Sequence, residues 1–329
     1  MARFTKILLG IVLIGLFFIG CAGEDAVNAV LILSEPQYDT NFATNGRFTI
    51  SMIAITEDSS VITIDKADQV EFDADSASND STYTITIVSV TFVSPSADKI
   101  AVGLLLDSSG SMSSNDPLNL RVSSSKTFIK KLLGDKSTHM ASVADFSAGS
   151  GDEYYFRLLQ EYVNVSDTVN LFAGLDSVTE AGLTPLYTAV HRDLDHTDSV
   201  VSASQYSRAL LALTDGIDND SYAEDTLGAV ISVSQQKDIP VYVVGLGTGV
   251  NEIDLQRLAN ETSGVYAHAS SADALDRIFT AMGLGLSQGY TTTVGSFDPI
   301  PPSGTIVYVT VIITSGGQSA TATIIFVIP

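Results

Sequence analysis

The sequence has one cysteine and few basic residues. The single cysteine, Cys21, excludes any disulfide bond within the chain. The 16 Lys and Arg residues are outnumbered by 38 Asp and Glu residues, and the formal net charge is −22. Because such a surface repels phosphate backbones, we do not expect nucleic acid as a partner. The acidity would instead attract cations, although most surface carboxylates serve only to keep a protein soluble.

The apolar stretch near the N-terminus is too short for a comfortable bilayer span. It covers fourteen residues at 7–20, whereas a spanning helix needs about 20. Its length, and the basic residues that precede it, are typical of the hydrophobic region of a secretory signal peptide. We therefore predict that residues 1–20 are a signal peptide.

The end of this stretch, FIGC at 18–21, resembles the lipobox of bacterial lipoproteins. It departs from that pattern at Ile19, where Ala or Ser is more common. The resemblance implies cleavage before Cys21 and lipidation of that cysteine. The mature protein would then be lipid-anchored in the bacterial cell envelope and face outside the cytoplasm, at the outer membrane or the cell surface. An ordinary signal peptide, or an anchor helix with an incidental cysteine, is the alternative.

Two β-rich regions lie at the ends of the remaining chain. Residues 21–98 and 288–329 contain runs of β-branched and aromatic residues that are separated by polar turns. The segments GTIVYVTVIIT and SATATIIFVI, on either side of the turn SGGQ at 315–318, predict a β-hairpin. The two regions are expected to pack together as one β-sandwich-like unit that contains the intervening domain as an insertion. Two separate β-domains fit the sequence almost as well.

The middle of the chain, residues 99–287, alternates between strand-like and helical patterns. Apolar runs typical of strands lie at 99–106, 139–147, 208–214, 240–247 and 264–269. Helical patterns lie near 118–133, 185–195, 225–236, 252–260 and 271–283. This alternation is typical of βαβ units. It predicts an α/β domain with a doubly wound, mostly parallel sheet flanked by helices.

Oxygen-bearing side chains follow two of these strands and precede one of the helices. Asp107, Ser109 and Ser111 belong to DSSGSM, which directly follows the first strand of the domain. Asp215 belongs to TDGIDND, which follows RALLALT, and Thr184 lies in the loop EAGLTPLYTAV. Ligands of open α/β sheets bind at the carboxyl ends of the strands. We therefore expect the five side chains to meet at one edge of the sheet.

These residues resemble the metal-ion-dependent adhesion site of the von Willebrand factor A domain, also called the integrin I-like domain. The family motif is D-x-S-x-S, then a Thr in a later loop, then an Asp after a central strand. The resemblance implies a divalent-cation site formed by Asp107, Ser109, Ser111, Thr184 and Asp215. It also implies that a protein partner completes the coordination with an Asp or Glu carboxylate. Mg²⁺ suits hard oxygen ligands, and Mn²⁺ or Ca²⁺ is also compatible with them.

Each of these signals also has a structural explanation. Ser111 and Thr184 could be helix N-caps, and Asp215 could belong to a simple turn. The acidic segment DNDSYAED at 218–225 is a solvated loop or a second, weaker cation site. The basic residues at 121–136 predict a solvated helix face, or a contact with lipid headgroups or an acidic partner.

The sequence favours a binding protein over an enzyme. No G-x-S-x-G motif surrounds Ser109 or Ser111, so neither serine has the context of a hydrolase nucleophile. We predict a cell-envelope lipoprotein that binds a protein partner through the cation. The alternative is a structural or assembly subunit of an envelope complex, in which the metal only stabilises the fold.

Overall fold

The computed structural model describes residues 30–34, 36–56, 60–94, 99–135, 137–148 and 154–329. The predicted signal peptide, and Cys21 with its predicted lipidation, lie outside these residues. Within the described ranges, no helix combines the length and the apolar character needed to cross a membrane.

Strands and one short helix precede the α/β region. They are β1 (Val30–Leu33), β2 (Gln37–Tyr38), α1 (Phe42–Asn45), β3 (Arg47–Ile55), β4 (Val70–Ala77) and β5 (Thr84–Val93).

The α/β region then alternates strands and helices. Its first half comprises β6 (Ile100–Asp107), α2 (Met112–Asn115), α3 (Leu120–Asp135), β7 (Met140–Ser147), β8 (Tyr154–Val163) and α4 (Thr168–Asp176). Its second half comprises α5 (Leu186–Val200), β9 (Ser207–Thr214), α6 (Leu227–Lys237), β10 (Val241–Leu246), α7 (Glu252–Glu261), β11 (Tyr266–Ala269) and α8 (Leu275–Gln288). The chain continues with β12 (Tyr290–Asp298), β13 (Ile306–Ser315) and β14 (Gln318–Val327).

The sheet of the α/β region has the strand order β11-β10-β9-β6-β7-β8. Its strands are parallel except for β8, which pairs antiparallel with β7 at one edge. From β6 the chain moves first to β7 and later to β9 on the other side, so the order reverses between β6 and β9. Ligands of doubly wound sheets bind at such a switch point, outside the carboxyl ends of the strands. The loops after β6 and β9 are therefore where a ligand site is expected.

Helices cover both faces of this sheet. On one face α3, α4 and α8 contribute Phe128, Leu171 and Phe279 to a core that includes Val102 and Leu104 of β6. On the other face α5, α6 and α7 pack against the alternate residues of the same strands. A central strand buried on both faces reads as a continuous apolar run, which is the pattern of KIAVGLLL. The predicted α/β fold class is confirmed.

The β-rich ends combine strands from before and after the α/β region in both of their sheets. In one sheet β12 lies between β3 and β5, and in the other β13 lies between β4 and β14. The two sheets share an aromatic core. In it the ring centroids of Phe48 and Phe326 are 4.6 Å apart and the ring planes are inclined at 71°, which is an edge-to-face contact. The hairpin that the sequence predicts is formed by β13 and β14.

Helix α8 connects the two parts of the molecule through close packing. Its Phe279 contributes to the α/β core, which also includes Ile53 of β3. A Cβ atom added at Gly285 would lie 2.5 Å from Ile53 Cδ1, so glycine at this position permits the close approach of α8 and β3. A helix held on both sides in this way is part of the shared core of the molecule.

Strands β4, β8 and β12 and helix α4 are among the elements that were not predicted from the sequence. Strand β8, YYFRLLQEYV, is half-buried along most of its length because it lies at the edge of the sheet. It therefore mixes polar and apolar residues and lacks the continuous apolar run of the central strands. Strand β4, VEFDADSA, contains acidic residues that are disfavoured in strands, and it is also an edge strand.

Candidate metal site

Asp107 is the last residue of β6, and its carboxylate is fully buried at the carboxyl end of the sheet. The backbone N–H of Ser109 donates to its Oδ1 at 2.7 Å, and the hydroxyl of Thr214 donates to its Oδ2 at 2.6 Å. Thr214 is the last residue of the neighbouring strand β9. Both carboxylate oxygens are thus oriented by the ends of the two strands at the switch point.

Ser109, Ser111 and Asp215 form a chain of polar contacts beside Asp107. The hydroxyl oxygens of Ser109 and Ser111 are 3.2 Å apart, and Ser111 Oγ donates to Asp215 Oδ1 at 2.8 Å. The other oxygen, Asp215 Oδ2, accepts a 2.8 Å hydrogen bond from Asn115 Nδ2. Ser109 and Asp215 are buried, whereas Ser111 is exposed. Ser111 therefore lies at the solvent side of the cluster.

Asn115 is a site residue that the sequence motif did not indicate. It is the last residue of the short helix α2, four positions after Ser111, so one helical turn brings both side chains to Asp215. The spacing of an amide residue one turn after the motif was the available signal. Without the strand order, nothing in the sequence showed that Asp215 would be the acceptor.

Thr184 lies in the loop before α5, and it is buried. Among the described residues, its hydroxyl has no hydrogen-bond partner, although Thr184 is adjacent to the loop of Asp215. A Cβ atom added at Gly216 would lie 3.2 Å from Thr184 Oγ1. The absence of a side chain at Gly216 therefore leaves room next to this hydroxyl. A hydroxyl without a protein partner can still donate to, or accept from, another group.

Helix capping does not account for the two hydroxyls. Ser111 occupies the N-cap position of α2 but makes no capping hydrogen bond with its side chain. The N-cap of α5 is Pro185, which has no side-chain donor or acceptor, and Thr184 does not cap that helix. Both hydroxyls are thus available to the cluster at the carboxyl end of the sheet.

Backbone hydrogen bonds join the loop of Thr184 to the loop of Asp107. Ala181 N donates to Ser108 O at 2.9 Å, and Gly110 N donates to Gly182 O at 3.0 Å. The five predicted residues therefore belong to three loops that are in direct contact.

A buried ion-pair network supports the same two loops. The guanidinium of Arg121 is fully buried and bonds to Asp116 at 2.8 Å and to Glu180 in the Thr184 loop. Asp116 also accepts hydrogen bonds from the backbone N–H groups of Leu120 and Arg121 at the start of α3. The prediction of a solvated face for the basic residues at 121–136 is therefore wrong for Arg121. Removing one partner of a buried pair would leave an uncompensated charge in the interior.

Burial and the negative charge of Asp215 raise the pKa of Asp107 to about 6, while the hydrogen bonds from Ser109 and Thr214 oppose this rise. Burial is the larger cause. The negative charge of Asp215 is the second cause, as expected for two carboxylates at the same edge of the sheet. Two acids held together in this way create a region of negative potential at the end of the sheet.

The donor set fits a hard divalent cation. It consists of two carboxylates and three hydroxyls, which are the oxygen ligands that Mg²⁺ and Ca²⁺ take. Among the residues that the structure describes, no three His, Cys, Asp or Glu side chains form a group that could hold a metal ion. A cation at this position would therefore depend on the hydroxyls. The hydroxyl of Thr184, which has no hydrogen-bond partner among the described residues, agrees with such a role.

Solved structures with a similar fold include proteins from several sources. A von Willebrand factor type A protein from Catenulispora acidiphila is 11% identical, with a TM-score of 0.49, and the match covers 95% of this chain and 76% of that one. Proximal thread matrix protein 1 from the mussel byssus, with a zinc-occupied MIDAS motif, is 20% identical at a TM-score of 0.46, covering 63% of this chain and 50% of that one. The pilus adhesin SpaC from Lactobacillus rhamnosus GG, in its open conformation, is 11% identical at a TM-score of 0.46. The match covers 89% of this chain and 47% of that one.

The chain thus spans about half the length of the mussel and Lactobacillus proteins. No curated protein matches it significantly. The family model for the von Willebrand factor type A domain matches residues 102–281, which is more than half of the chain. The chain therefore belongs to the von Willebrand factor type A domain family.

Proposed function

We propose that this protein binds a protein partner through a divalent cation held by Asp107, Ser109, Ser111, Thr184 and Asp215. The observation that carries the proposal is the hydrogen bond between Ser111 and Asp215, which brings together two loops that are 104 positions apart. The loop of Thr184 is bonded to the first of these loops and is adjacent to the second.

The residues of the site have distinct tasks in this proposal. Asp107 and Asp215 supply negative charge, and the hydroxyls of Ser109, Ser111 and Thr184 supply neutral oxygens. When bound, the cation supplies an electrophilic centre that accepts a carboxylate oxygen of the partner. Thr214 and Asn115 orient the two carboxylates through the hydrogen bonds at 2.6 and 2.8 Å. Because few charges surround the cation, it retains its attraction for an acidic group.

Exposed apolar side chains next to the site support a protein as the partner. Leu183, which precedes Thr184, is 45% exposed, and Ile217, two positions after Asp215, is 55% exposed. Leu118 and Ile253 are also exposed, on the loop before α3 and in the first turn of α7. A free small anion would gain nothing from these side chains, whereas a protein surface would bury them.

The decisive experiment compares wild type with Thr184→Ala in two separate measurements. Magnesium affinity and partner capture from native membranes, with and without a chelator, report on binding, and thermal unfolding reports on the fold. We expect Thr184→Ala to lose magnesium-dependent capture while its unfolding temperature without magnesium remains close to that of wild type. A wild-type protein that binds no divalent cation would refute the proposal.

The alternative function, a structural subunit whose metal only stabilises the fold, predicts a different result. In that case Thr184→Ala would lower the unfolding temperature in magnesium, and chelation would leave partner capture unchanged. A catalytic role is not part of the proposal. Turnover of ester or peptide substrates that disappears in Ser109→Ala would contradict this view.

The proposed location is the bacterial cell envelope, with a lipid on Cys21. The support is the sequence at 7–21, since these residues lie outside the described part of the chain. We expect the wild-type protein to incorporate a labelled fatty acid and to sediment with membranes. Cys21→Ser should abolish incorporation, and equal labelling of both proteins would refute the lipid anchor.

A further inference from the structure

The segment that follows Asp215 is bonded to both backbone groups of Thr184. Thr184 N donates to Asn219 Oδ1 at 2.9 Å, and Asn219 N donates to Thr184 O at 3.0 Å. One asparagine thus satisfies the amide and the carbonyl of the residue that contributes the candidate hydroxyl. Asn219 lies on the same loop as Asp215, four positions later. These two hydrogen bonds therefore connect two of the three loops of the site.

The residues around Asn219 attach the same segment to the start of α5. Asp218 Oδ1 accepts a 3.2 Å hydrogen bond from Tyr187 N, in the first turn of the helix. Thr188 N donates to Ser221 Oγ, and Tyr222 N donates to Thr188 Oγ1, both at 2.9 Å. The N-cap of this helix is Pro185, which has no capping side chain, and Asp218 satisfies one of the free N–H groups of the first turn.

These contacts give the acidic segment at 218–225 a role in the fold of the site. The sequence left open a solvated loop and a second cation site. In the structure, Asp218, Asn219 and Ser221 direct hydrogen-bonding groups to the backbone of residues 184–188. The polar side chains of the segment thus hold the Thr184 loop in place.

The position of the Thr184 hydroxyl depends on its backbone because the hydroxyl has no partner among the described residues. Threonine is branched at Cβ and has few side-chain conformations, so the backbone largely decides where the oxygen lies. Pro185 also restricts the residue before it to extended conformations. What remains free is the placement of the peptide groups on either side of Thr184, and these are the groups that Asn219 binds.

We propose that Asn219 is a positioning residue for the candidate cation site, acting through the backbone of Thr184. This inference rests on the proposed cation-binding function. Asn219 acts in this arrangement on the backbone of Thr184, because its side-chain oxygen accepts the hydrogen bond from Thr184 N. Removal of the Asn219 side chain lets the Thr184 hydroxyl move relative to the carboxylate of Asp215, and the affinity of the site for the cation falls.

The test measures the affinity of the wild-type protein and of Asn219→Ala for Mn²⁺ by titration calorimetry. We expect affinity to fall on the order of fivefold, the effect of one net hydrogen bond. Asn164→Ala is the matched control, because Asn164 is also exposed and its Oδ1 accepts a backbone N–H, from Ser166, at 3.0 Å. The control should bind Mn²⁺ with wild-type affinity. Equal affinities of Asn219→Ala and wild type would overturn the inference.

A double-mutant cycle separates positioning from direct ligation. In a Thr184→Ala background, Asn219→Ala should not weaken Mn²⁺ binding further, because the hydroxyl that it positions is absent. A second fivefold loss in that background would overturn the inference, since it would mean that Asn219 acts independently of Thr184.

A conservative variant guards against a general loss of structure. Asn219→Asp keeps the acceptor for Thr184 N, and we expect it to bind Mn²⁺ at least as well as wild type. A loss equal to that of Asn219→Ala would contradict the positioning role. If the wild-type protein binds no Mn²⁺, the proposed function itself fails, and this result is distinguishable from a wild type that binds while Asn219→Ala binds equally well.

Discussion

Ser111 and Asp215 are joined by a 2.8 Å hydrogen bond although 104 positions separate them in the chain. The bond connects the loop after β6 to the loop after β9, the two strands between which the sheet order reverses. Its donor is exposed and its acceptor is buried, so the contact defines the outer boundary of the candidate site. The cation-binding proposal depends on this contact.

Ser111→Ala should weaken magnesium binding by about tenfold, the effect of losing one polar ligand interaction. The matched control is Ser114→Ala, an exposed serine in the same short helix. Titration calorimetry with Mg²⁺ measures both variants. Equal losses in the two variants would show that helix α2, and not the Ser111 hydroxyl, determines the affinity.

Gly216→Ala should reduce magnesium affinity because its methyl group would lie 3.2 Å from Thr184 Oγ1. The hydroxyl must then move by a few tenths of an ångström, away from its place beside Asp215. Gly228→Ala in α6 is the control, since an added methyl there meets no atom within 4 Å. The control should bind normally and be more stable by about 0.5–1 kcal/mol in urea unfolding. Unchanged affinity in Gly216→Ala would count against the placement of Thr184.

Replacing the apolar residues beside the site should affect the partner and leave the cation in place. Leu183→Ser combined with Ile217→Ser should lower chelator-sensitive partner capture by about tenfold or more, since each side chain contributes on the order of 1–2 kcal/mol when buried. Magnesium affinity should not change. Val200→Ser provides the control, because this residue is 51% exposed at the far end of α5. Equal capture by the double variant and by wild type would place the partner elsewhere.

Asp193 predicts a pH dependence of stability that is independent of the candidate site. Burial raises the pKa of its carboxyl to about 7, and neither oxygen has a hydrogen-bond partner among the described residues. His196 Nδ1, on the same helix, is 4.0 Å from Asp193 Oδ1, beyond hydrogen-bond distance. The carboxyl is therefore protonated in the folded protein at acidic pH, while the unfolded chain releases this proton at its ordinary pKa of about 3.9.

The sign of the effect follows from this difference. Between about pH 4 and pH 7 the folded state binds more protons than the unfolded state, so the contribution of Asp193 to stability falls as pH rises, by at most about 1.4 kcal/mol per pH unit. Asp193→Asn removes the titration. Its free energy of unfolding relative to wild type should therefore increase between pH 5 and pH 7 in urea titrations. A difference that stays constant over this range would contradict the buried, unpaired state of Asp193.

The sequence allowed more of the fold to be predicted at the centre of the sheet than at its edges. KIAVGLLL and RALLALT are buried on both faces, and burial on both faces leaves an unmistakable apolar run. The edge strand β8 and the acidic strand β4 had no such pattern, because partial exposure permits polar residues in a strand. The same reasoning explains Arg121. Its charge predicted exposure, and only its ion pairs with the buried Asp116 and the partly buried Glu180 show why it is inside.

The candidate site was predictable in part for a similar reason. The D-x-S-x-S spacing is local, so the sequence displays it directly. Asn115 and Asn219 were not found, because their roles depend on which distant residue each faces. Asn219 bonds to Thr184 across 35 positions, and asparagine is common in loops for unrelated reasons.

The sequence by itself determined that the middle of the chain forms an α/β sheet and that two loops after its strands carry oxygen-bearing side chains. Periodicity and strand-end chemistry are properties of neighbouring residues, and they need no tertiary contact to be read. Only the tertiary structure decided that β6 and β9 are adjacent, that the chain ends form two shared sheets, and that Asn219 holds Thr184. These are pairings between distant segments, and they are selected by the burial of a common core, which no local stretch of sequence contains.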